Sequence, residues 1–147
     1  MTIGALRLRG TLAVHDPRRL PFGARAEPLG FVIEGTRSVY FAGDTDVFEE
    51  MRDLAPIDVA LLPIWGWGPS LGPGHMGPRE AVEAARLLRA SLVIPIHWGT
   101  YFPVQAARRG RPTFIDRPAE EFRDLMQAQA PDIEVRFLRP GEETTVD

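Results

Sequence analysis

The segment Ser38–Asp46 constrains the fold more than any other part of this chain. Residues 39–42 are apolar or β-branched, which predicts a buried strand. Gly43 ends this run, Asp44 follows at once, and apolar residues then recur at helical spacing. The pattern predicts a strand, a tight turn and a helix, with a carboxylate at the carboxyl end of the strand. Because α/β sheets build ligand and catalytic sites at that edge, we expect Asp44 to lie in a functional site.

Strands and helices alternate along the rest of the chain, which indicates an α/β layer architecture. Period-2 alternation and short apolar runs predict strands at 5–15, 29–33, 39–42, 57–62, 92–96 and 133–137. Helical spacing predicts a short helix after Asp44, a second that opens at Pro78 and a third that opens at Arg117. With 147 residues and no apparent linker or repeat, we expect a single domain covering 1–147.

Composition and charge restrict the function. No apolar run approaches the ~18 residues needed to span a bilayer, and arginines interrupt the apolar residues near the N-terminus, so we expect a cytoplasmic protein without a membrane span. The net charge of −3 makes a nucleic acid an unlikely partner, although the arginine-rich segment 108–111 could contact a phosphate. The chain has no cysteine, so a metal site would have to use His, Asp or Glu.

Three side chains suited to metal binding each follow a predicted strand. His15, Asp44 and His97 stand just beyond the strands that end near residues 14, 42 and 96, and His75 lies in the long Gly/Pro-rich loop 63–77. Neutral imidazoles and a carboxylate are the ligands expected for zinc or a similar divalent ion. Each residue also has an ordinary explanation, because a loop histidine is commonly structural and an aspartate after glycine commonly caps a helix. The shared placement of all of them favours a site.

The same loop carries Trp65 and Trp67. Loops of this length without secondary structure are usually functional or disordered. If the indole rings are buried they pack the loop onto the core, and if the loop is open they can contact a substrate. The two tryptophans are therefore candidates for the substrate pocket.

Several motifs resemble those of the metallo-β-lactamase-fold hydrolases. They are Phe41-Ala-Gly-Asp-Thr45, Asp58-Val-Ala-Leu-Leu-Pro-Ile64, His75-Met-Gly-Pro-Arg-Glu-Ala-Val82 and Ile94-Pro-Ile-His-Trp-Gly-Thr100. They are most similar to the branch that contains the L-ascorbate-6-phosphate lactonases and the N-acyl-phosphatidylethanolamine phospholipase D enzymes. The resemblance implies the carboxyl-terminal half of an αββα sandwich, with about six strands and three helices.

The resemblance also implies roles for the candidate residues. Asp44 matches an aspartate that bridges two metal ions, His15 a ligand of the first ion and His97 a ligand of the second. His75 matches, less closely, a catalytic histidine beside the substrate pocket. Zinc is the favoured ion, with manganese and iron as alternatives. The implied reaction is hydrolysis of a small-molecule ester, lactone or phosphodiester by metal-bound hydroxide.

One part of the family pattern is missing. The His-x-His-x-Asp-His signature of the family precedes the residue that His15 matches, whereas no histidine lies among the first 14 residues here. We therefore expect a truncated gene product, a domain fragment or half of a split protein, whose activity needs the missing amino-terminal half. We also expect association, either with a complementary half or with a second copy of this chain. The alternatives are a non-catalytic remnant or interaction module of the same fold, and, least favoured, a nucleic-acid processing protein.

Overall fold

The computed structural model describes residues 1–16, 25–66, 70–99 and 115–146. These residues contain one seven-stranded sheet whose strands lie side by side in chain order. The strands are β1 (Thr2–Ile3), β2 (Leu6–Leu12), β3 (Leu29–Glu34), β4 (Ser38–Phe41), β5 (Val59–Pro63), β6 (Leu92–Ile96) and β7 (Glu134–Val135). A 3-10 helix covers Glu49–Leu54, and two α-helices follow, α1 (Pro78–Leu87) and α2 (Arg117–Gln129). The expected α/β class is confirmed, with one more strand than expected.

The pairing of neighbouring strands changes once across the sheet, from antiparallel to parallel. Strands β1 to β4 pair antiparallel, and β4 to β7 pair parallel. Strand β2 therefore runs in the same direction as β4, β5 and β6, and the carboxyl ends of these four strands lie at one edge of the sheet. The candidate residues all follow these ends, so the topology alone brings them to a common edge.

The helices cover one face of the sheet and form the main core. Helix α1 begins where the sequence predicts, and the Glu80 carboxylate caps it by accepting a hydrogen bond from the Gly77 main-chain N–H at 3.0 Å. Its apolar side packs on α2 and β5. The largest fully buried side chains of this core include Tyr40, Met51, Leu62, Leu88, Phe122 and Met126. In the described ranges, no helix combines the length and apolar character needed to cross a bilayer.

The opposite face of the sheet is only partly covered. Near β5 and β6 it carries a small cluster formed by Val59, Leu92 and Ile94, against which Leu138 packs. Along β2, β3 and β4 the same face exposes the side chains of Leu12, Leu29, Phe31 and Phe41. Register places Leu12 opposite Leu29 and Phe31 opposite Phe41, so the four side chains form one apolar surface. We call these four residues the open face.

A group of hydrogen bonds connects β4 and β5 at their amino ends, on the edge of the sheet opposite the candidate residues. The Asp58 carboxylate accepts hydrogen bonds from the main-chain N–H of Ser38 at 2.7 Å and from its hydroxyl at 2.8 Å. In return, the Ser38 hydroxyl oxygen accepts a hydrogen bond from the Asp58 N–H at 2.9 Å. The Arg37 guanidinium adds a contact at 3.3 Å. These bonds lower the pKa of Asp58, with the Ser38 main-chain N–H as the largest cause.

Three predicted elements differ from the structure. The strand predicted at 5–15 ends at Leu12, because Val14 bonds to the loop after β4 instead of continuing along β3. The short helix predicted after Asp44 is a 3-10 helix. The final strand, predicted at 133–137, is only the two residues of β7. Hydrophobic spacing identified each element but could not define where tertiary hydrogen bonds end it.

Candidate metal centre

Asp44 enters the site through a turn that requires glycine. Gly43 has a φ of +71°, and a Cβ placed there would lie 3.2 Å from the Leu29 carbonyl oxygen. A residue with a side chain would therefore be strained and crowded at this position. The glycine lets the chain reverse after β4 and places the Asp44 carboxylate at the carboxyl edge of the sheet.

All three histidines of the chain surround one oxygen atom. The Nε2 atoms of His15, His75 and His97 lie 3.0, 3.3 and 3.7 Å from Asp44 Oδ2. The rings of His15 and His75 also contact each other edge to face, with centroids 4.7 Å apart. The structure thus brings together the four polar residues that the sequence singled out, from segments separated by up to 82 positions (His15 to His97).

The outer nitrogen of each imidazole lies against a main-chain carbonyl. His15 Nδ1 is 2.9 Å from the Asp16 oxygen, His75 Nδ1 is 3.3 Å from the Pro73 oxygen, and His97 Nδ1 is 2.7 Å from the Trp65 oxygen. A carbonyl oxygen only accepts hydrogen bonds, so each Nδ1 carries the proton that is donated. In a neutral ring this leaves Nε2 with a lone pair, as in metal-binding histidines.

Lone pairs therefore point at a carboxylate, which also offers only lone pairs. A divalent cation held between these groups would be bound by the imidazole nitrogens and the carboxylate together. In addition, Asp44 Oδ1 is buried and accepts no hydrogen bond within the described part of the chain. A buried carboxylate oxygen of this kind needs a partner. Two or more imidazoles with one carboxylate fit a divalent ion of the zinc, manganese or iron type.

The segments that carry the site are held by Thr45, whose side chain is fully buried. Its hydroxyl oxygen accepts a hydrogen bond from the Val14 N–H at 2.7 Å and donates one to the Asp46 carbonyl at 2.9 Å. Its own carbonyl accepts a hydrogen bond from the Met76 N–H at 3.0 Å. No local pattern could reveal a partner 31 residues away.

His97 reaches the cluster from a loop that, among the described residues, does not bond to Thr45. It directly follows β6, has a φ of 60° and has the most exposed side chain of the three histidines. Non-glycine residues adopt this conformation uncommonly, and Arg89 is a second example in this chain. The neighbouring Ile96 carbonyl accepts a hydrogen bond from the Ile64 N–H at 3.1 Å, which ties this loop to the one that carries Trp65.

The candidate pocket residues have different outcomes. Trp65 is half-buried and contributes its carbonyl to His97, so it lies beside the cluster. Trp67 and the arginine-rich segment 108–111 lie outside the described residues.

Comparison with known proteins gives the family. The profile of the "Beta-lactamase superfamily domain" matches residues 1–98. A "UPF0173 metal-dependent hydrolase" of Caldivirga maquilingensis is 34% identical over 143 residues, covering 95% of this chain and 56% of the relative. A protein of the same name from Nitratidesulfovibrio vulgaris is 39% identical over 126 residues, covering 82% of this chain and 45% of the relative.

The fold has a counterpart among solved structures. The metallo hydrolase Igni18 of Ignicoccus hospitalis superposes with a TM-score of 0.70 and 29% identity, over 97% of this chain and 54% of Igni18. This chain thus spans about half the length of the relatives that it matches. The lactonase and phospholipase D branch remains a prediction. The sequence matches and the superposition agree, and the chain belongs to the beta-lactamase superfamily, with the metallo-β-lactamase fold.

Proposed function

We propose that this chain forms part of a metal-dependent hydrolase whose metal centre is built around Asp44. The relatives named above are called metal-dependent hydrolases, which supports this class of activity. The observation that carries the proposal is the convergence of three imidazole Nε2 atoms on one carboxylate oxygen. Main-chain carbonyls orient these nitrogens with their lone pairs inward, which is the arrangement that a cation needs.

In this proposal, Asp44 would serve both ions of a two-metal centre, His15 would hold one of them and His97 would hold the other. Zinc is the favoured ion, and manganese or iron are alternatives, because the donors are nitrogen and oxygen without sulfur. When bound, such ions supply an activated water at neutral pH and polarise a carbonyl or phosphoryl oxygen. The proposed substrates are accordingly small esters, lactones or phosphodiesters.

The residues of this chain would act by orientation. The carbonyls of Asp16, Pro73 and Trp65 hold the three rings in one tautomer, which reduces the rearrangement needed when a ligand binds. We propose that the Trp65 side chain lines the approach to the cluster, because its main-chain carbonyl contacts His97. Its half-buried position leaves part of the indole available for contact with a substrate.

We also propose that the chain corresponds to the carboxyl-terminal half of its longer relatives, and that a complementary half covers the open face. This half would bring an apolar sheet surface and the remaining metal ligands. Two observations support it. The matched relatives are nearly twice as long as this chain, and Leu12 and Leu29 are 55% and 53% exposed although both lie in strands.

The open face also leads directly to the metal centre. Leu12 precedes His15 by three residues, and Phe41 precedes Asp44 by three. A sheet that covered the open face would therefore extend to the Asp44 carboxylate. Docking of the complementary half would then bury the open face and complete the coordination shell of the metal centre in one binding event.

The proposal is tested by metal binding and by hydrolysis. Chain purified without a histidine tag is incubated with Zn²⁺, Mn²⁺ or Fe²⁺, and bound ions are counted by native mass spectrometry. We expect stoichiometric binding that is lost in Asp44→Asn, with Asp53→Asn as a matched control because Asp53 is exposed and lies in the 3-10 helix, outside the cluster. A folded chain that binds none of the three ions would contradict the proposal.

Hydrolysis is then measured on a chromogenic ester, a lactone and a phosphodiester. The amino-terminal half of a UPF0173 relative is added or withheld, and a chelator is the negative control. We expect turnover that requires both halves and is abolished by the chelator.

A second candidate function is a non-catalytic interaction module, favoured by the open face alone. Under that function, the chain would bind its partner equally well with and without chelator. Substitution of His15, Asp44 or His97 would then leave partner binding unchanged. Metal-dependent partner binding would exclude this candidate.

A further inference from the structure

We propose that His75 is a metal ligand, so that His15, Asp44 and His75 together bind one divalent ion within this chain. The inference rests on the proposed function and assigns His75 a role other than that of a catalytic residue beside the substrate. One ligand atom from each of the three residues lies within 4.8 Å of the other two. The distances of 3.0 and 3.3 Å from Asp44 Oδ2 to the Nε2 atoms of His15 and His75 suit a single ion, because tetrahedral ligands around 2 Å from one metal are separated by about 3.3 Å.

The hydrogen bonds of His75 prepare it as a ligand. Its Nδ1 donates to the Pro73 carbonyl, which directs the Nε2 lone pair to Asp44 Oδ2 at 3.3 Å. The side chains of His75 and His15 have the same exposed fraction, 25%, so both are shielded to the same extent. Two shielded imidazoles with one carboxylate make a three-residue set, which leaves open positions on the ion for water or substrate.

The main chain holds this set as a unit. Thr45 directly follows Asp44 in the chain. Its hydroxyl bonds to Val14, which precedes His15, and its carbonyl bonds to Met76, which follows His75. Ligands fixed by such short connections lose little freedom when an ion binds. His97 is outside this network, because its loop is bonded to Ile64 and Trp65 instead.

Close packing of two loops also supports the pairing of His75 with His15. Gly74 has a φ of +82°, and a Cβ there would lie 3.1 Å from the His15 Cα. Only glycine permits this approach without a shift in one of the loops. The loop before α1 is thereby placed directly against His15, which brings the two rings into contact.

His97 then has a separate role. Its Nε2 lies 3.7 Å from Asp44 Oδ2, and it is not a member of the compact three-residue set. It is therefore available for the second ion of the proposed centre. A metal titration should therefore distinguish the two histidines, because loss of His75 should weaken binding of the first ion more than loss of His97.

The test uses Co²⁺ as a spectroscopic probe and Zn²⁺ as its competitor. We expect His75→Ala to weaken binding of the first Co²⁺ by more than about tenfold, and by more than His97→Ala does. The exposed control Asp53→Asn should leave this binding step unchanged. The chain has no cysteine, so His75→Cys gives a direct signal: a thiolate on the ion adds a sulfur-to-cobalt charge-transfer absorption. Circular dichroism verifies that each variant is folded.

The outcomes separate the two proposals. If His75→Ala binds the first ion with unchanged affinity and His75→Cys shows no charge-transfer band, the inference about His75 is wrong, while the proposed metal centre stands. If the folded wild-type chain binds no Co²⁺ or Zn²⁺, the proposed function itself is wrong. Loss of affinity in His75→Ala together with the new absorption in His75→Cys would establish His75 as a ligand.

Discussion

The Thr45 hydroxyl oxygen accepts a hydrogen bond from the Val14 main-chain N–H at 2.7 Å, although the two residues are 31 positions apart. The Val14 carbonyl accepts in turn from the Asp46 N–H at 2.9 Å. This pair of bonds joins the loop after β2 to the loop after β4, one residue from His15 on one side and from Asp44 on the other. The distance between imidazole and carboxylate is therefore set by the main chain and not by the two side chains alone.

Replacing Thr45 with valine should damage both stability and metal binding. Thr45→Val keeps the shape but leaves the part-buried Val14 N–H without its acceptor, which costs about 1 kcal/mol of unfolding free energy. Urea unfolding measures this loss, and a Zn²⁺ titration should show roughly tenfold weaker binding, as for other residues that position ligands. Thr36→Val, in an exposed turn, is the matched control and should change neither quantity. Wild-type affinity in Thr45→Val would show that the threonine does not position the site.

The turn before Asp44 should tolerate no side chain. Gly43→Ala forces a Cβ to within 3.2 Å of the Leu29 oxygen at a φ of +71°, and the left-handed conformation costs about 1–2 kcal/mol. We expect that loss in chemical unfolding, together with weaker metal binding. Gly10→Ala is the control, because no heavy atom lies within 4 Å of its Cβ position and its φ is not left-handed. Equal stability of the two variants would contradict the strain argument.

The Asp58 cluster should make the fold sensitive to acid. Hydrogen bonds from Ser38 lower the pKa of Asp58 in the folded chain below its ordinary value of 3.8. A lowered folded-state pKa means that the carboxylate stabilises the fold above pH 3.8, and this contribution is lost as the pH falls through the folded-state pKa.

The matching experiment follows unfolding free energy against pH. At neutral pH, Asp58→Asn should be less stable than wild type by about 1 kcal/mol, because a charged acceptor is lost. This difference should shrink as the pH drops below 3.8. The exposed Asp53→Asn should follow the wild-type curve. A difference for Asp58→Asn that stays constant down to acidic pH would show that the charge is not responsible.

The open face should drive association. Phe31 and Phe41 lie opposite each other and are 39% and 40% exposed. The double variant Phe31→Ser/Phe41→Ser should weaken self-association by at least about tenfold, because less apolar surface is buried between chains. Sedimentation velocity over a concentration series measures the effect. Metal stoichiometry should stay unchanged, since neither ring belongs to the centre.

The control for this surface is Val146→Ser, at an apolar residue of the tail that is 39% exposed. It should leave association as in wild type. If the wild-type chain is monomeric at every concentration, and the double variant binds the complementary half as tightly as wild type, the open face is not the docking surface.

Sequence patterns were sufficient for the fold class and for most of the elements. The apolar run before Gly43, the alternation from Leu29 and the proline at the start of α1 are local signals, and the structure has β4, β3 and α1 at those places. Local signals work here because a strand or helix in a core must present apolar side chains at its own period. They also placed the four polar residues beyond strand ends, and four parallel-running strands then bring these residues to one edge.

What only the tertiary structure decided is how those residues face one another. The resemblance implied that His75 lies beside the substrate pocket, and the structure adds that its Nε2 lies 3.3 Å from Asp44 Oδ2 and its ring against that of His15. The structure also showed that Thr45 connects the loops that carry the site. It further showed that one face of the sheet is only partly covered. These properties depend on hydrogen bonds and contacts between residues far apart in the chain, and a pattern that repeats every two or four residues carries no information about such distances.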